Sequence, residues 1–192
     1  MNPNPNLQKM VLAALMAALT AAGAYMAIPI GPVPIVLQSL FVILSGLVLG
    51  SRWAAASMAI YLLAGIIGLP VFAGGSGGLT KLLGPTGGYL VGFLLAAYFI
   101  GLVAERSGGR LWINLLGLVA GSLLIYLCGV AWLKTILDIS FNKALAMGMW
   151  PFLPGDALKI AAALALERSL RPLIASPQRR RSWSSRPQQD DA

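Results

Sequence analysis

From Met10 to Ser51 the chain carries no charged residue, and Pro29-Ile30-Gly31-Pro32-Val33-Pro34 interrupts that run near its middle. The run is too long for one membrane crossing, which takes about 20 residues. Proline removes a backbone donor and biases the residue before it away from helix, so two spans meet at the proline cluster. Of the 192 residues, 58% are apolar and 10% charged. A soluble domain of this size needs roughly a quarter of its residues charged to keep a solvated surface. Lipid is therefore the expected solvent.

The remaining apolar runs complete the reading. The expected fold class is all-α: a polytopic membrane bundle of six transmembrane helices. The crossings are read at Met10–Ile28, Ile35–Gly50, Trp53–Leu69, Gly87–Ala104, Leu111–Leu133 and Trp150–Leu166, the second and third being short. The first run is long for the h-region of a signal peptide and another apolar run follows almost at once, so it is read as a retained span. Residues 1–175 form the membrane domain, and 176–192 a basic, disordered cytoplasmic tail on composition.

Six crossings put both termini on one side. With the N-terminus in the cytoplasm, inside positions hold Lys9, Arg52, Arg106, Arg110, Arg168, Arg171, Arg179, Arg180, Arg181 and Arg186, against Lys81, Lys134 and Lys143 outside. That bias favours both termini cytoplasmic. Trp53, Trp112, Trp132 and Trp150 fall at expected helix ends, where indoles favour the interface. The net charge of +8 follows from these loops and the tail. No basic patch interleaved with aromatics is present, so nucleic acid is not an expected partner.

What the sequence lacks excludes several chemistries. There is no histidine, and Cys128 is the only cysteine, which removes His–Cys zinc sites, histidine triads and internal disulfides. No Gly-x-x-x-x-Gly-Lys-Ser/Thr occurs, so nucleotide-driven work would fall to another chain. Gly74-Gly75-Ser76-Gly77-Gly78 matches a serine-hydrolase elbow, but without histidine only Lys81 remains as a base, and nothing in its expected outer loop lowers its pKa. The chain is not read as an enzyme, and no cofactor or metal is expected.

The charges inside the last span are the most informative. Asp156 and Lys159 are three apart and share a helix face. On a helix starting at Trp150 they lie roughly 9 and 13 Å below it, well into the outer leaflet. Facing lipid, each would cost about 2.5–3.5 kcal/mol, so both turn inward, as a structural ion pair or as a polar ligand site. Gln38, the only amide of its span, and the glycine-rich Pro70–Gly88 connection belong to the same outer half. A site open to the outside suits capture for uptake. In the first span Ala13, Ala17 and Ala21 repeat every four residues, as do Ala14, Ala18 and Ala22. Such stripes allow close helix packing in lipid, within the bundle or against another membrane subunit.

Three stretches carry a family resemblance. Gly31-Pro32-Val33-Pro34 with Leu37-Gln38 resembles the first loop of BioY proteins, the biotin-binding components of energy-coupling-factor transporters. Gly68-Leu69-Pro70-Val71-Phe72-Ala73-Gly74-Gly75 and Gly84-Pro85-Thr86-Gly87-Gly88-Tyr89-Leu90 are similar to that family's most distinctive stretch, and Pro151-Phe152-Leu153-Pro154-Gly155-Asp156 with Lys159 to its third signature. The likeness runs from about Leu7 to Arg171. Val36 departs from it, standing where the family often has threonine.

The resemblance implies a six-helix subunit of the prokaryotic cytoplasmic membrane that binds biotin with high affinity from outside. It also implies a transmembrane coupling subunit and ATPase subunits as partners, docked on the first helix through Ala13, Ala17, Ala21, Ala14 and Ala18. The ligand-binding set is then Gln38, Phe72, Gly74, Gly75, Thr86, Gly87, Tyr89, Asp156 and Lys159. Phe72 and Tyr89 suit the apolar bicycle. Lys159 meets either the carboxylate or the ureido oxygen, and Asp156 the ureido N–H groups. Alternatives of other kinds are a transporter for another small vitamin, an intramembrane hydrolase and a structural scaffold.

Overall fold

The computed structural model describes residues 5–29 and 31–174; the expected tail from Ser176 onward, with Arg179, Arg180, Arg181 and Arg186, lies outside them. Six helices of twelve residues or more carry the architecture: α1 (Pro5–Tyr25), α2 (Gln38–Leu49), α3 (Ser51–Ile66), α5 (Gly87–Arg106), α6 (Leu111–Leu137) and α8 (Leu153–Ile174). Two short helices, α4 (Leu79–Leu82) and α7 (Phe141–Gly148), sit in connections. Among the described residues, three helices are both long and apolar enough to cross a membrane: Asn6–Tyr25, Gly87–Arg106 and Leu111–Leu137. The expected all-α membrane fold is met at this coarser level, with three such spans among the described residues where six were expected. Helix α2 has 12 residues and α3 has 16, shorter than a full crossing at 1.5 Å per residue.

The shortening has local causes. At the proline cluster the chain leaves helix before Ile28, and Ala27–Ile28 (β1) pairs antiparallel with Ile35–Val36 (β2). Among the described residues this two-residue ladder is the only pair of strands, and it costs α1 and α2 the residues expected to extend them. Between α2 and α3 the chain turns at Gly50, whose φ of 78° suits glycine. A side chain there would also run into the Glu105 carboxylate. Oε1 of Glu105, near the end of α5, accepts the Ser51 N–H at 2.8 Å, and both its oxygens accept from the Ser51 hydroxyl. A carboxylate thus caps the N-terminus of α3, where the helix dipole favours negative charge.

Helices α5 and α6 form the most extensive pair, and α5 also packs on α2 and α3. Helix α2 touches α1 and α8 as well, so it is lined on several sides and most of it is buried. The larger core cluster runs through Met16, Val42, Met58, Tyr61, Phe72, Phe93 and Phe152. A smaller one joins Leu40, Ile43, Leu47, Ile100, Leu118 and Ala163. The outer faces stay apolar: Trp112, Leu116, Leu127 and Leu158 are well exposed, as a lipid-facing surface requires.

The alanine stripes of α1 separate. Ala13 and Ala17 are 1% and 5% exposed and belong to the core. Ala21 is partly buried against it, whereas Ala14, Ala18 and Ala22 are exposed. Within the expected docking set, Ala13 and Ala17 pack inside the bundle, and Ala14 and Ala18 belong to the more exposed stripe. Trp132 is also displaced from its expected helix end, because α6 continues to Leu137.

Candidate functional site

One cavity of about 150 Å³ lies between the starts of α2, α5 and α8 and the middle of α6. Each helix contributes residues spaced along one face: Gln38, Ser39 and Ile43 from α2; Tyr89, Leu90 and Phe93 from α5; Ser122, Ile125 and Tyr126 from α6. From α8 and the residue before it come Phe152, Asp156 and Lys159. The proline loop closes one side through Pro32, Val33, Pro34 and Val36, and the Pro70–Thr86 connection closes another through Phe72, Ala73, Ser76, Lys81 and Thr86.

Polar groups gather on one wall. Lys159 Nζ stands 3.0 Å from Asp156 Oδ1 and 2.9 Å from Ser39 Oγ. The Tyr126 hydroxyl donates to the other carboxylate oxygen of Asp156. The two charged side chains are only 12% and 18% exposed, so the pair is sheltered by the bundle, and its charges balance. Helix α8 begins at Leu153 and not at Trp150. Asp156 therefore sits in its first turn, and the two residues lie roughly 4.5 and 9 Å along it, shallower than the sequence suggested. A carboxylate in the first turn is also favoured by the helix dipole.

Gln38 is 4% exposed at the start of α2, and its Oε1 accepts from the Tyr61 hydroxyl at 3.1 Å. That bond sets the amide's orientation, with nitrogen turned away from the phenol. The Tyr61 ring meets Phe72 edge-on at 5.6 Å. Phe72 in turn lies over Gly65, where any side chain would collide with its ring. Aromatic rings also line the cavity. Tyr89 spends its hydroxyl on the Gly148 carbonyl at 2.8 Å, so its ring, with Phe93 and Phe152, supplies apolar surface to the cavity.

Six of the nine sequence-selected ligand residues line this cavity: Gln38, Phe72, Thr86, Tyr89, Asp156 and Lys159. Gly74, Gly75 and Gly87 lie outside its lining. Gly74 and Gly75 (φ 71° and 70°) form the turn that closes Phe72 onto Ser76, and the Gly74 N–H ties this turn to the Ala24 carbonyl at the end of α1. Gly87 lets the start of α5 pass against the Leu82 carbonyl. The glycines shape the walls.

Tyr126, Ser39, Ser122 and Lys81 line the cavity without having been selected from sequence. Ser122 and Tyr126 are four apart and share one face of α6, a spacing that does not by itself tell a cavity face from a lipid face. Ser76 and Lys81 share the cavity, but the Ser76 hydroxyl donates to the Ala73 carbonyl at 2.9 Å, and among the described residues no bond joins it to Lys81. Val36 lines the wall, so the departure from the family pattern places an apolar group there.

Comparison with known proteins identifies the family. A model of the BioY family matches residues 1–176. The chain is 44% identical over 160 residues to a probable biotin transporter BioY of Pyrococcus horikoshii, covering 83% of this chain and 94% of that one. It is 41% identical over 167 residues to the biotin transporter BioY of Thermotoga maritima, covering 87% and 98%. The fold superposes with a TM-score of 0.83 on a 2.1 Å crystal structure of the S-component for biotin from an ECF-type ABC transporter, at 30% identity and covering 90% of this chain and 95% of that one.

Proposed function

The chain belongs to the BioY family, and from that premise we propose that the cavity walled by Gln38, Asp156 and Lys159 is where it captures biotin from the outer face of the membrane. Its function is high-affinity biotin uptake as the substrate-binding component of an energy-coupling-factor transporter. It is a multi-pass protein of the inner membrane and a transport protein, not an enzyme.

The observation that carries the site is a cavity whose lining combines the bonded Lys159–Asp156–Tyr126 cluster with aromatic rings. Biotin presents a cyclic urea with two N–H donors and one strong acceptor, on an apolar bicycle. Asp156 accepts N–H groups, Lys159 and the Gln38 amide donate to the urea oxygen, and Phe72, Tyr89 and Phe93 pack on the bicycle. Such a pocket orients its ligand with few placed polar groups. Saturable binding of radiolabelled biotin by the detergent-purified protein, competed by biotin and not by other vitamins, is the expected result. Equal competition by another vitamin would reassign the substrate.

In the bilayer, residues 1–175 are read as six crossings with both ends cytoplasmic. The charge bias supports this orientation, as does the Glu105–Ser51 cap, which lies at the end of the bundle carrying Arg52, Arg106 and Arg110. The coupling subunit docks on the exposed α1 stripe of Ala14 and Ala18. Both Arg110 and Lys143 are exposed. In a Cys128→Ser background, a cysteine at Lys143 is expected to react with an impermeant maleimide in intact cells. One at Arg110 should react only after permeabilisation. The reverse pattern would invert the topology.

A further inference from the structure

Resting on the biotin reading, we infer that Tyr61, which does not line the cavity, is a positioning residue for specificity: it holds the Gln38 amide with its N–H groups toward the ligand, so that this point of the site takes a hydrogen-bond acceptor and refuses a donor. Helix α3 supplies none of the residues that line the cavity. It acts on two of them through Tyr61, whose hydroxyl donates to Gln38 Oε1 at 3.1 Å and whose ring meets that of Phe72 edge-on at 5.6 Å. Tyr61 and Gly65 are four apart on one face of α3, and a side chain at Gly65 would collide with the Phe72 ring. One notch of α3 therefore seats an aromatic lining residue and sets the direction of a polar one.

The two ends of an amide differ little in shape, so packing does not decide which of them faces the cavity. Tyr61 decides it by chemistry. A phenol carries one proton, and among the described residues the Gln38 oxygen is the acceptor it has. Turned over, the amide would give its own N–H to the phenol and leave the phenolic proton without an acceptor. Tyr61 is 1% exposed and Gln38 4%, which leaves little room for water to take that proton. An unpaired buried donor makes the reversed amide about tenfold rarer or more. The amide nitrogen is then the atom left for the cavity, and among the described residues no acceptor engages it. The neighbouring Ser39 accepts from Lys159 at 2.9 Å, which brings a second donor group to the same end of α2. Two donors there suit the two lone pairs of a urea oxygen.

The test is a double-mutant cycle on the purified protein, comparing biotin with 2-iminobiotin, in which an imino group carrying N–H replaces the urea oxygen. Affinity is measured per folded molecule, and wild type is expected to prefer biotin. Tyr61→Phe keeps the ring against Phe72 and frees the amide to turn. It should lower biotin affinity about threefold and narrow the preference by roughly tenfold, as the reversed amide becomes populated. Gln38→Met should lower biotin affinity about tenfold. In that background Tyr61→Phe should change neither affinity nor preference further, because the group it acts through is gone. A tyrosine with a merely structural role would lower the thermal midpoint in both backgrounds and leave the preference untouched. That result, or an equal loss of affinity in both backgrounds, overturns the inference. Wild-type affinity and preference in Gln38→Met would overturn it too, whether or not Tyr61→Phe folds. Absence of saturable biotin binding by wild type would overturn the biotin reading, and the inference with it.

Discussion

Tyr126 donates its phenolic proton to the Asp156 oxygen that Lys159 leaves free. Both oxygens of the carboxylate are thereby held by protein donors, one on α6 and one on α8 itself, and its plane is set before any ligand arrives. A ligand N–H must use the remaining lone pairs, whose direction Tyr126 decides.

Tyr126→Phe removes that donor and keeps the ring in the wall. A hydrogen bond to a charged group contributes about 1.5–3 kcal/mol. Part of it is recovered by water in a cavity that admits it, so biotin affinity is expected to fall about tenfold. Thermal stability of the detergent-solubilised protein should change little, because the ring packing survives. Titration of the variant with labelled biotin checks this, and wild-type affinity would show that Tyr126 does not orient the carboxylate.

The ion pair itself makes a double-mutant prediction. Removing either partner leaves a charge that is mostly sheltered from water, since the side chains are 12% and 18% exposed. Complete burial would cost about 3–5 kcal/mol, and the residual exposure reduces this to roughly 1–3 kcal/mol. Asp156→Asn and Lys159→Met should each lower the thermal midpoint and lose biotin binding. The double variant should regain the wild-type midpoint and still fail to bind. A double variant less stable than both singles would mean that the two groups do not compensate each other.

Lipid made Asp156, Lys159 and Gln38 legible from sequence, because a charge or an amide in a span has few places to go. Ser39 and Tyr126 carried no such signal. A hydroxyl in a helix is readily satisfied by its own backbone, as Thr20 is by the Met16 carbonyl and Ser45 by that of Val42. Only the fold shows which hydroxyls turn to a neighbour. Glycines were ambiguous in the same way: Gly74, Gly75 and Gly87 fit a ligand contact, a turn or a close approach equally well until neighbours are placed. Helix α7 was missed although Ser140 caps it, its hydroxyl accepting the Lys143 N–H at 3.4 Å, because its eight residues are too few for a crossing and fall in a connection between spans.

Gly50 offers a test of the α2–α3 joint that is independent of the site. Its φ is 78°, and the space a side chain would take is filled by Glu105. Gly50→Ala adds left-handed backbone strain, about 1 kcal/mol or more, and displaces the carboxylate that caps Ser51. The thermal midpoint should drop by several degrees with biotin affinity unchanged per folded molecule. Glu105→Gln, which keeps an acceptor but removes the charge, should lose less. A Gly50→Ala protein as stable as wild type would show that the turn has another conformation available.

The split of the α1 stripes gives opposite expectations for two neighbouring alanines. Ala17 is 5% exposed and packed into the core, so Ala17→Trp overfills the bundle and is expected to destabilise it by about 1–3 kcal/mol, with biotin binding and partner association lost together. Ala14 is exposed on the adjacent stripe. In Ala14→Trp the indole meets lipid in the isolated protein at little cost, and biotin binding should be retained. What the indole disrupts is close approach of a second small-residue surface, so co-purification with the coupling subunit should fail. The paired measurement is biotin binding and co-purification on each variant. Normal association of Ala14→Trp with the coupling subunit would move the docking surface away from α1 altogether.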